Sequence, residues 1–202
     1  MLRADHERTS SSRSELSTTR GSRECRSRRC SAVRLTLQTV RVTVTLTPTT
    51  FRDLPFVIAA ERAEHARDFV ANWSEDQHAK AIIDADQDHS LVWSDDEPAG
   101  FVLVAGLTSP HGSVELRRIV VVRPEREIGR EAIRLVLARA FHDRRVHRVW
   151  LDVKPHNARA RHVYSRIGFV EEGLLRDALR TGTRYESLII MSMLRPEWEA
   201  LT

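Results

Sequence analysis

The stretch that decides the fold runs from Val146 to Phe169 and reads V-H-R-V-W-L-D-V-K-P-H-N-A-R-A-R-H-V-Y-S-R-I-G-F. Its first part, through Val153, places apolar β-formers at alternate positions, which predicts a buried strand. Asn157 is a favoured helix N-cap residue, and a glycine follows eleven positions later, where a helix commonly ends. Asn157 and Tyr164 then share one helix face, about 10 Å apart along the axis, and form one wall of a ligand slot.

Length and composition restrict the class of protein. The chain has 202 residues, enough for one domain with a hydrophobic core. Its two cysteines are Cys25 and Cys30, so we expect neither a disulfide framework nor a cysteine-based zinc site in the remainder. No apolar run approaches the ~20 residues of a membrane-spanning helix, and the N-terminus lacks the hydrophobic block of a secretory signal. These features predict a cytoplasmic protein without a membrane partner.

The positive charge is concentrated at the N-terminus. Residues 1–30 contain eight arginines and four acidic residues, a surplus equal to the net charge of +4 of the whole chain. We expect residues 1–32 to be a disordered Arg/Ser-rich tail and residues 33–202 to form a single domain. For the tail, three alternatives stay open: a polyanion-binding arm, a transit peptide, or a stretch upstream of the native start. Acidic residues within the tail argue against the polyanion-binding arm and the transit peptide. Because the tail accounts for the whole net charge, nucleic acid is not an expected partner of the domain.

Patterning along the rest of the chain predicts alternating strands and helices. In order, these are a strand at 41–47, helices at 51–63 and 75–84, strands at 90–93, 99–107 and 114–122, a helix at 128–141, the strand and helix described above, and strands from 169 and at 184–194. Ser74 and Gln77 have the spacing of a capping box, and the residues from Asp95 to Pro98 are typical of a turn. The order predicts a mixed α/β (α+β) fold with a central, mostly antiparallel sheet.

Several motifs follow one another at consistent spacing. They are E-L-R-R-I-V-V at 115–121, I-G-R-E-A at 128–132, L-D-V-K-P-H-N-A-R-A-R-H-V-Y-S-R-I-G-F at 151–169, E-E-G-L-L-R-D-A at 171–178 and M-S-M-L at 191–194. With them, residues 41–197 resemble the GCN5-related N-acetyltransferase (GNAT) superfamily, in the branch similar to ribosomal-protein-alanine and small-amine acetyltransferases. The resemblance implies the GNAT fold, with a six- to seven-stranded sheet, splayed fourth and fifth strands, and about four flanking helices.

The resemblance also implies an activity. Acetyl-CoA is the expected donor, with no metal, and the acceptor is a primary amine on a small molecule or a protein N-terminus. Because the domain contains no cysteine to carry an acetyl group, we expect direct transfer in a ternary complex. A homodimer is left open. Residues 64–82 and 175–184 are expected to be the variable loops that select the acceptor.

The cofactor-binding residues implied by the resemblance lie at two places and at the helix cap. Strand four would pair its backbone with the pantetheine, and the loop before the next helix would bind the pyrophosphate through backbone N–H groups. A helix N-terminus is independently suited to an anion. Asn157 would bond the cofactor arm, although a plain helix cap is the alternative. The full set is Ile119, Val120, Val121, Arg126, Ile128, Gly129, Arg130 and Asn157.

The resemblance implies that Tyr164 is the general acid near the thioester sulfur; the alternative is a tyrosine packed between helix and sheet. Glu115 is the candidate general base, acting directly or through water, and the alternative is an exposed carboxylate paired with Arg117 or Arg118. Trp73 is expected to line the amine pocket or to be an ordinary packing anchor.

Four histidines attract attention as bases or metal ligands, but none of their spacings suits a metal, and we expect them at the surface. They are His111, His147, His156 and His162.

One segment departs from the family pattern. The family loop reads Arg/Gln-x-x-Gly-x-Gly/Ala; aligned on Gly129, it has Glu127 in place of the earlier glycine and Pro124 in place of the leading residue. Alternatively, the loop is about three residues short. Glu125 and Glu127 then stand near a diphosphate, which weakens binding unless they point to solvent or pair with arginine. This departure motivates a second hypothesis, a non-catalytic GNAT-fold binding protein with a degenerate pyrophosphate loop.

Overall fold

The computed structural model of the chain describes residues 43–123 and 127–202, all within one compact unit. The strands are β1 (Val44–Pro48), β2 (Gln87–Ser94), β3 (Glu97–Ala105), β4 (Ser113–Val121), β5 (Arg148–Val153), β6 (Val170–Thr181) and β7 (Arg184–Leu194). The helices are α1 (Leu54–Glu61), which follows a 3-10 turn at Phe51–Asp53, α2 (Glu75–Ile83), α3 (Ile128–His142), α4 (Ala158–Ile167) and α5 (Arg195–Leu201). The predicted tail and Arg126 lie outside the described residues.

The seven strands form one sheet in the order β1-β2-β3-β4-β5-β7-β6. Every neighbouring pair is antiparallel except β4 and β5, which run parallel. Their shared register covers only three pairs, from Ser113 with Arg148 to Glu115 with Trp150, although both strands continue. The strands therefore separate beyond Glu115, which opens a gap between them and confirms the predicted mixed fold.

A bulge in β4 changes which face its side chains occupy. Arg118 pairs with Leu103 and Leu116 with Val104, so Arg117 is the extra residue. Before the bulge, Leu116 packs into the core beneath α3; after it, Val120 belongs to the smaller core beneath α1. A bulge interrupts the two-residue alternation of a strand. As a result, the long polar side chain of Arg118 points toward the α1 face and is buried there.

The predicted apolar stripe of α3 is confirmed. Ile133, Val136, Leu137, Ala140 and Phe141 are all less than 9 % exposed and pack against the sheet. Burial of such a stripe stabilises a helix by roughly 25 cal/mol per Å2 of apolar surface. This packing fixes α3 along one face of the sheet, with its N-terminus beside the end of β4.

The predicted ends of α4 and α2 are confirmed. Asn157 Oδ1 accepts a hydrogen bond from Ala160 N at 3.1 Å, and Gly168 ends α4 with a φ of 117°. A side chain at Gly168 would also come within 2.8 Å of Leu201 Cδ1. At α2, the backbone N–H of Ser74 donates to the side chain of Gln77 while the Ser74 hydroxyl accepts from the Gln77 backbone.

Two predictions about loops are wrong. The turn after β2 consists of Asp95 and Asp96 alone, both with positive φ, and β3 already begins at Glu97. A two-residue hairpin turn of this kind needs positive φ at both positions, which aspartate tolerates. The stretch at 175–184 is mostly strand, because β6 extends to Thr181 and pairs with β7, and only Gly182 and Thr183 form the turn. Helix α5 was not predicted.

Among the described residues, no helix is long and apolar enough to cross a membrane.

Candidate active site

The gap between β4 and β5 brings most of the predicted site residues together. Ile119, Val120 and Val121 form the end of β4, past the point where β5 separates. Gly129 in the first turn of α3 faces this end, since a Cβ built on it would lie 3.5 Å from Val121 Cγ2. Tyr164 of α4 packs in the same core as Leu151 and Val153 of β5. The gap is therefore bordered by the two strands, with the start of α3 at the end of β4 and α4 beside β5.

Tyr164 is a buried phenol at this gap. Its side chain is 8 % exposed, and its ring lies 5.9 Å from that of Phe169. Burial, and secondarily the negative charge of Asp152, raise the pKa of Tyr164 well above its usual range. The neutral phenol is thus favoured at physiological pH, and its hydroxyl carries a proton that it can donate.

Asp152 is a site residue that the sequence reasoning did not single out. Val149, Leu151 and Val153 enter the core, so Asp152 points to the opposite face of the sheet, where its residue is exposed. Desolvation by neighbouring groups raises the pKa of this carboxylate, and the charge of Glu115 adds to the rise. A carboxylate whose proton affinity is raised in this way is suited to general-base chemistry. The sequence signal that could have identified Asp152 is an acidic residue within a strand whose alternate positions are apolar.

Glu115 forms the ion pair that was its alternative interpretation. Its carboxylate accepts hydrogen bonds from Arg117 Nε at 3.0 Å and Arg117 Nη2 at 2.7 Å. The other arginine considered, Arg118, instead binds Glu61. The charge of Glu115 nevertheless raises the pKa of Asp152, which lies two positions beyond Trp150, the β5 partner of Glu115.

The N-terminus of α3 retains features of an anion site. Glu127 caps the helix with a φ of 59°, a left-handed conformation that favours glycine, at the position where the family loop has one. Its carboxylate is 62 % exposed and lies 2.5 Å from Arg130 Nη2, so an arginine neutralises it. The first N–H groups of a helix have no intrahelical acceptor, and Glu127 supplies no side-chain cap to them. They remain able to bind an anion.

The groups that border the gap suit the binding of acetyl-CoA. The edge of β4 facing the gap lacks a strand partner beyond Glu115, and the α3 N-terminus has donors for a phosphate group. Asn157 uses Oδ1 for its cap, so its amide N–H2 is the group it can offer to a ligand. Gly129 leaves space where a side chain would otherwise stand.

The remaining candidates fall into two groups. The four histidines expected at the surface, His111, His147, His156 and His162, are exposed, as predicted. Trp73 lies over the guanidinium of Arg118, 4.1 Å from the ring centroid, and contacts buried His78. Within 43–123 and 127–202, no group of three or more His, Cys, Asp or Glu residues has the arrangement of a metal site.

The model of the Acetyltransferase (GNAT) family matches residues 58–169, more than half of the chain. The chain therefore belongs to this acetyltransferase family, and the predicted membership and fold are confirmed.

Two curated relatives come from Bacillus subtilis strain 168. A probable N-acetyltransferase, YjcK, is 33% identical over 69 residues, which are 34% of this chain and 38% of the relative. A putative ribosomal N-acetyltransferase, YdaF, is 37% identical over 68 residues, 34% of this chain and 37% of the relative. The matched segments thus span little more than a third of either relative.

Solved structures extend the likeness over the whole fold. A spermidine N-acetyltransferase from Vibrio cholerae, in complex with CoA and spermine, has a TM-score of 0.67 at 24% identity, covering 77% of this chain and 98% of that chain. A chimera of spermidine N-acetyltransferase from Vibrio cholerae and hSSAT has a TM-score of 0.69, also at 24% identity, with the same coverage of both chains. At this level of identity the likeness concerns the fold.

Proposed function

We propose that this protein is an acetyl-CoA-dependent N-acetyltransferase that acetylates a primary amine by direct transfer in a ternary complex. The observation that carries the proposal is the gap between β4 and β5, which has the carboxylate of Asp152, of raised pKa, on β5 and the buried phenol of Tyr164 packed beside β5, close enough for the charge of Asp152 to act on it. Membership of the acetyltransferase family supports the same reaction class.

The donor would lie along the free edge of β4. Ile119, Val120 and Val121 would supply backbone groups for the pantetheine, except for the Val121 carbonyl, which accepts a hydrogen bond from His65, and the first N–H groups of α3, at Ile128, Gly129 and Arg130, would bind the diphosphate. Asn157 contributes its amide N–H2. Arg126 belongs to the same proposed set but lies outside the described residues. When bound there, acetyl-CoA supplies the activated acyl group.

The amine must lose a proton to become nucleophilic. We assign this proton to a carboxylate oxygen of Asp152, with Glu115 as the second member of a carboxylate pair whose charge raises the proton affinity of Asp152. Glu115, the base predicted from the sequence, would then act through this charge or through water, because its Oε2 already accepts two hydrogen bonds from Arg117.

Tyr164 would move the second proton. Its Oη holds a proton throughout the neutral range because burial disfavours the phenolate. Donating that proton to the departing thiolate sulfur balances the charge that develops when the carbon–sulfur bond breaks, and the proton that the acylated nitrogen then loses restores the phenol. Asp152 would thus accept a proton and Tyr164 would donate one, and the surroundings of each side chain favour its role.

The acceptor is proposed as a primary amine of a small polycation or a protein N-terminus. A polyamine is supported by the spermidine N-acetyltransferase fold and by the acidic pair at the gap, since carboxylates attract a cationic amine. A protein N-terminus is supported by the likeness to a putative ribosomal N-acetyltransferase. Both acceptors use the same proton transfers.

Calorimetric titration with acetyl-CoA, followed by thiol-release assays with spermidine and with peptides bearing a free N-terminal alanine, tests the proposal. We expect saturable binding and thiol release that depends on one acceptor class. Binding without release from either class would instead favour a non-catalytic binding protein, the hypothesis that Glu127 in the anion loop motivates. No detectable heat at millimolar acetyl-CoA would overturn acetyl transfer and point to a different ligand.

A further inference from the structure

A charged pair is buried beside the proposed site. Glu61, the last residue of α1, is 1 % exposed, and Arg118, just after the bulge in β4, is 9 % exposed. Arg118 Nη1 lies 2.7 Å from Glu61 Oε1. Desolvating two charges is unfavourable by several kcal/mol per ion unless further hydrogen bonds accompany the pair. Glu61 and Arg118 are 57 positions apart in the sequence. The groups that the buried pair holds in place therefore have to explain why it is present.

Both members of the pair bind the segment between α1 and α2. Glu61 Oε2 accepts from the Trp73 backbone N–H at 2.9 Å, and Arg118 Nη1 donates to the Ala71 carbonyl at 2.5 Å. The Trp73 indole covers the guanidinium. We call residues 62–73 the bridging segment. Its C-terminal end is thus fixed to β4 by one hydrogen bond and a cation–π contact, and to α1 by a second hydrogen bond, while the ion pair joins α1 to β4.

The bridging segment contacts both sides of the gap. On the β4 side, His65 Nε2 donates to the Val121 carbonyl at 2.8 Å. On the β5 side, Lys154 Nζ donates to the Asp68 carbonyl at 2.9 Å, and the Phe69 ring lies 5.7 Å from the ring of His156. The segment therefore crosses the opening through which an acceptor would approach Asp152 and Tyr164.

A second layer fixes Glu61 from behind. His78 Nε2 lies 3.5 Å from Glu61 Oε2, His78 Nδ1 is 3.1 Å from His89 Nε2, and His89 Nδ1 is 2.9 Å from Thr49 Oγ1. Burial alone would raise the pKa of Glu61, but the hydrogen bonds of His78 and Trp73 and the charge of Arg118 hold it below its usual value. Glu61 is therefore ionised at neutral pH and can anchor Arg118.

The charge of Arg118 also acts on Asp152. The groups that act on this carboxylate are Glu115, Arg117 and Arg118 from β4 and Tyr164 from α4, while its β7 neighbour Ile190 is uncharged. Burial and Glu115 raise the pKa of Asp152, and Arg118 and Arg117 oppose that rise. The position of the Arg118 guanidinium thus affects the pH at which Asp152 can accept a proton.

We propose that Glu61 and Arg118 are a positioning pair for the transfer reaction: Glu61 fixes the Arg118 guanidinium, and Arg118 holds the bridging segment over the gap and sets the charge beside Asp152. This assignment rests on the proposed acetyl transfer. Neither residue is a catalytic residue, since neither is placed against the reacting atoms.

Hydrogen exchange tests the mechanical part without requiring activity. In Glu61→Gln, which keeps the side-chain shape, we expect amides of the bridging segment to exchange about tenfold faster or more, because local opening becomes easier. Asp88→Asn is the matched control, since it removes an ion pair with Arg139 on another part of the sheet. It should leave exchange of residues 62–73 unchanged.

Carboxyl NMR titration of Asp152 tests the electrostatic part. Removing the Arg118 charge takes away an influence that lowers the pKa of Asp152, so that pKa should rise in Arg118→Gln. The acidic limb of the kcat/KM profile should move to higher pH by about half a unit or more. Because either single variant leaves an unpaired charge, Glu61→Gln/Arg118→Gln supplies a neutral background in which the same titration shift is expected.

The outcomes separate this inference from the proposed function. Unchanged exchange in folded Glu61→Gln, or an unchanged Asp152 titration in folded Arg118→Gln and in the double variant, would overturn the positioning pair. A wild-type protein that transfers no acetyl group would refute the proposed function, and exchange and titration would still decide whether the pair controls the segment and Asp152. If the wild-type protein is active, we expect Glu61→Gln and Arg118→Gln to lower kcat about tenfold, while the KM for acetyl-CoA changes less than threefold.

Discussion

The two walls of the gap are built in opposite ways. The first, β5 with α4, is continuous in sequence, and its parts are fixed by local signals such as the Asn157 cap and Gly168. The second, β4 with the bridging segment, depends on Glu61, Trp73 and Arg118, which meet only in the folded chain. A wall made of neighbouring residues can be read from a pattern, whereas a wall made of distant residues cannot.

The walls also differ in what stabilises them. Tyr164 and Ile167 anchor the first wall in the large apolar core. Charged and imidazole groups less than 10 % exposed, among them His78 and His89, support the second. We therefore expect the first wall to respond to changes in shape and the second to changes in pH.

The largest expected effect concerns the first wall. Tyr164→Phe should lower kcat by about 10³-fold, because it removes a general acid while the ring keeps its packing against Phe169. Stopped-flow or steady-state thiol release measures the rate, and calorimetry should give an acetyl-CoA affinity within about twofold of wild type. Equal rates for the two proteins would remove Tyr164 from the mechanism.

The second wall should lose stability in mild acid. Burial, and then the charge of His78, lower the pKa of His89 to about 4. The unfolded chain binds this proton near pH 6.5, so the contribution is complete above that pH and is lost as pH falls toward 4. It amounts to about 3 kcal/mol at most.

Urea unfolding at pH 7 and pH 5 measures this loss in the free energy of unfolding. His89→Gln is the matched variant, because an amide can still bond Thr49 but does not titrate. We expect its stability to vary less between the two pH values than that of wild type. An identical pH dependence in both proteins would contradict the assignment to His89.

The helix cap of the first wall offers a smaller effect. Asn157→Ala should reduce the free energy of unfolding by about 1 kcal/mol, because Ala160 N loses its side-chain acceptor. Asn157→Asp keeps the cap but removes the amide N–H2, so it should retain stability and weaken acetyl-CoA binding. If Asn157→Asp binds acetyl-CoA as wild type does, Asn157 is a cap alone.

The smallest effect is expected at the start of α3. Glu127→Gly should strengthen acetyl-CoA binding by about threefold. The substitution removes a negative carboxylate from the N-terminus of α3, where the positive end of the helix dipole would bind the anion. It should also stabilise the fold by up to about 1 kcal/mol, because a residue with a φ of 59° no longer carries a Cβ. Glu127→Gln separates the two causes: it should gain affinity without gaining stability. Weaker binding by both variants would show that Glu127 supports the loop.

Much of the fold was predictable because its signals are local. The stripe of α3, the capping box at Ser74 and the limits of β7 follow from spacing within one element. The turn at Asp95 failed because composition marks a turn without fixing its length. The extent of β6 was missed because its residues are mostly exposed and show no alternation, so only pairing with β7 defines it.

The sequence by itself determined the family, the β5–α4 wall and the positions of Tyr164 and Asn157, because strand alternation and helix caps act over a few residues. Only the tertiary structure decided that Asp152 lies within the influence of Glu115 and Arg118, that Glu115 pairs with Arg117, and that Glu61 meets Arg118. Those outcomes depend on a strand bulge and on desolvation by distant segments. Both arise from the packing of the whole sheet and leave no periodic pattern in the chain.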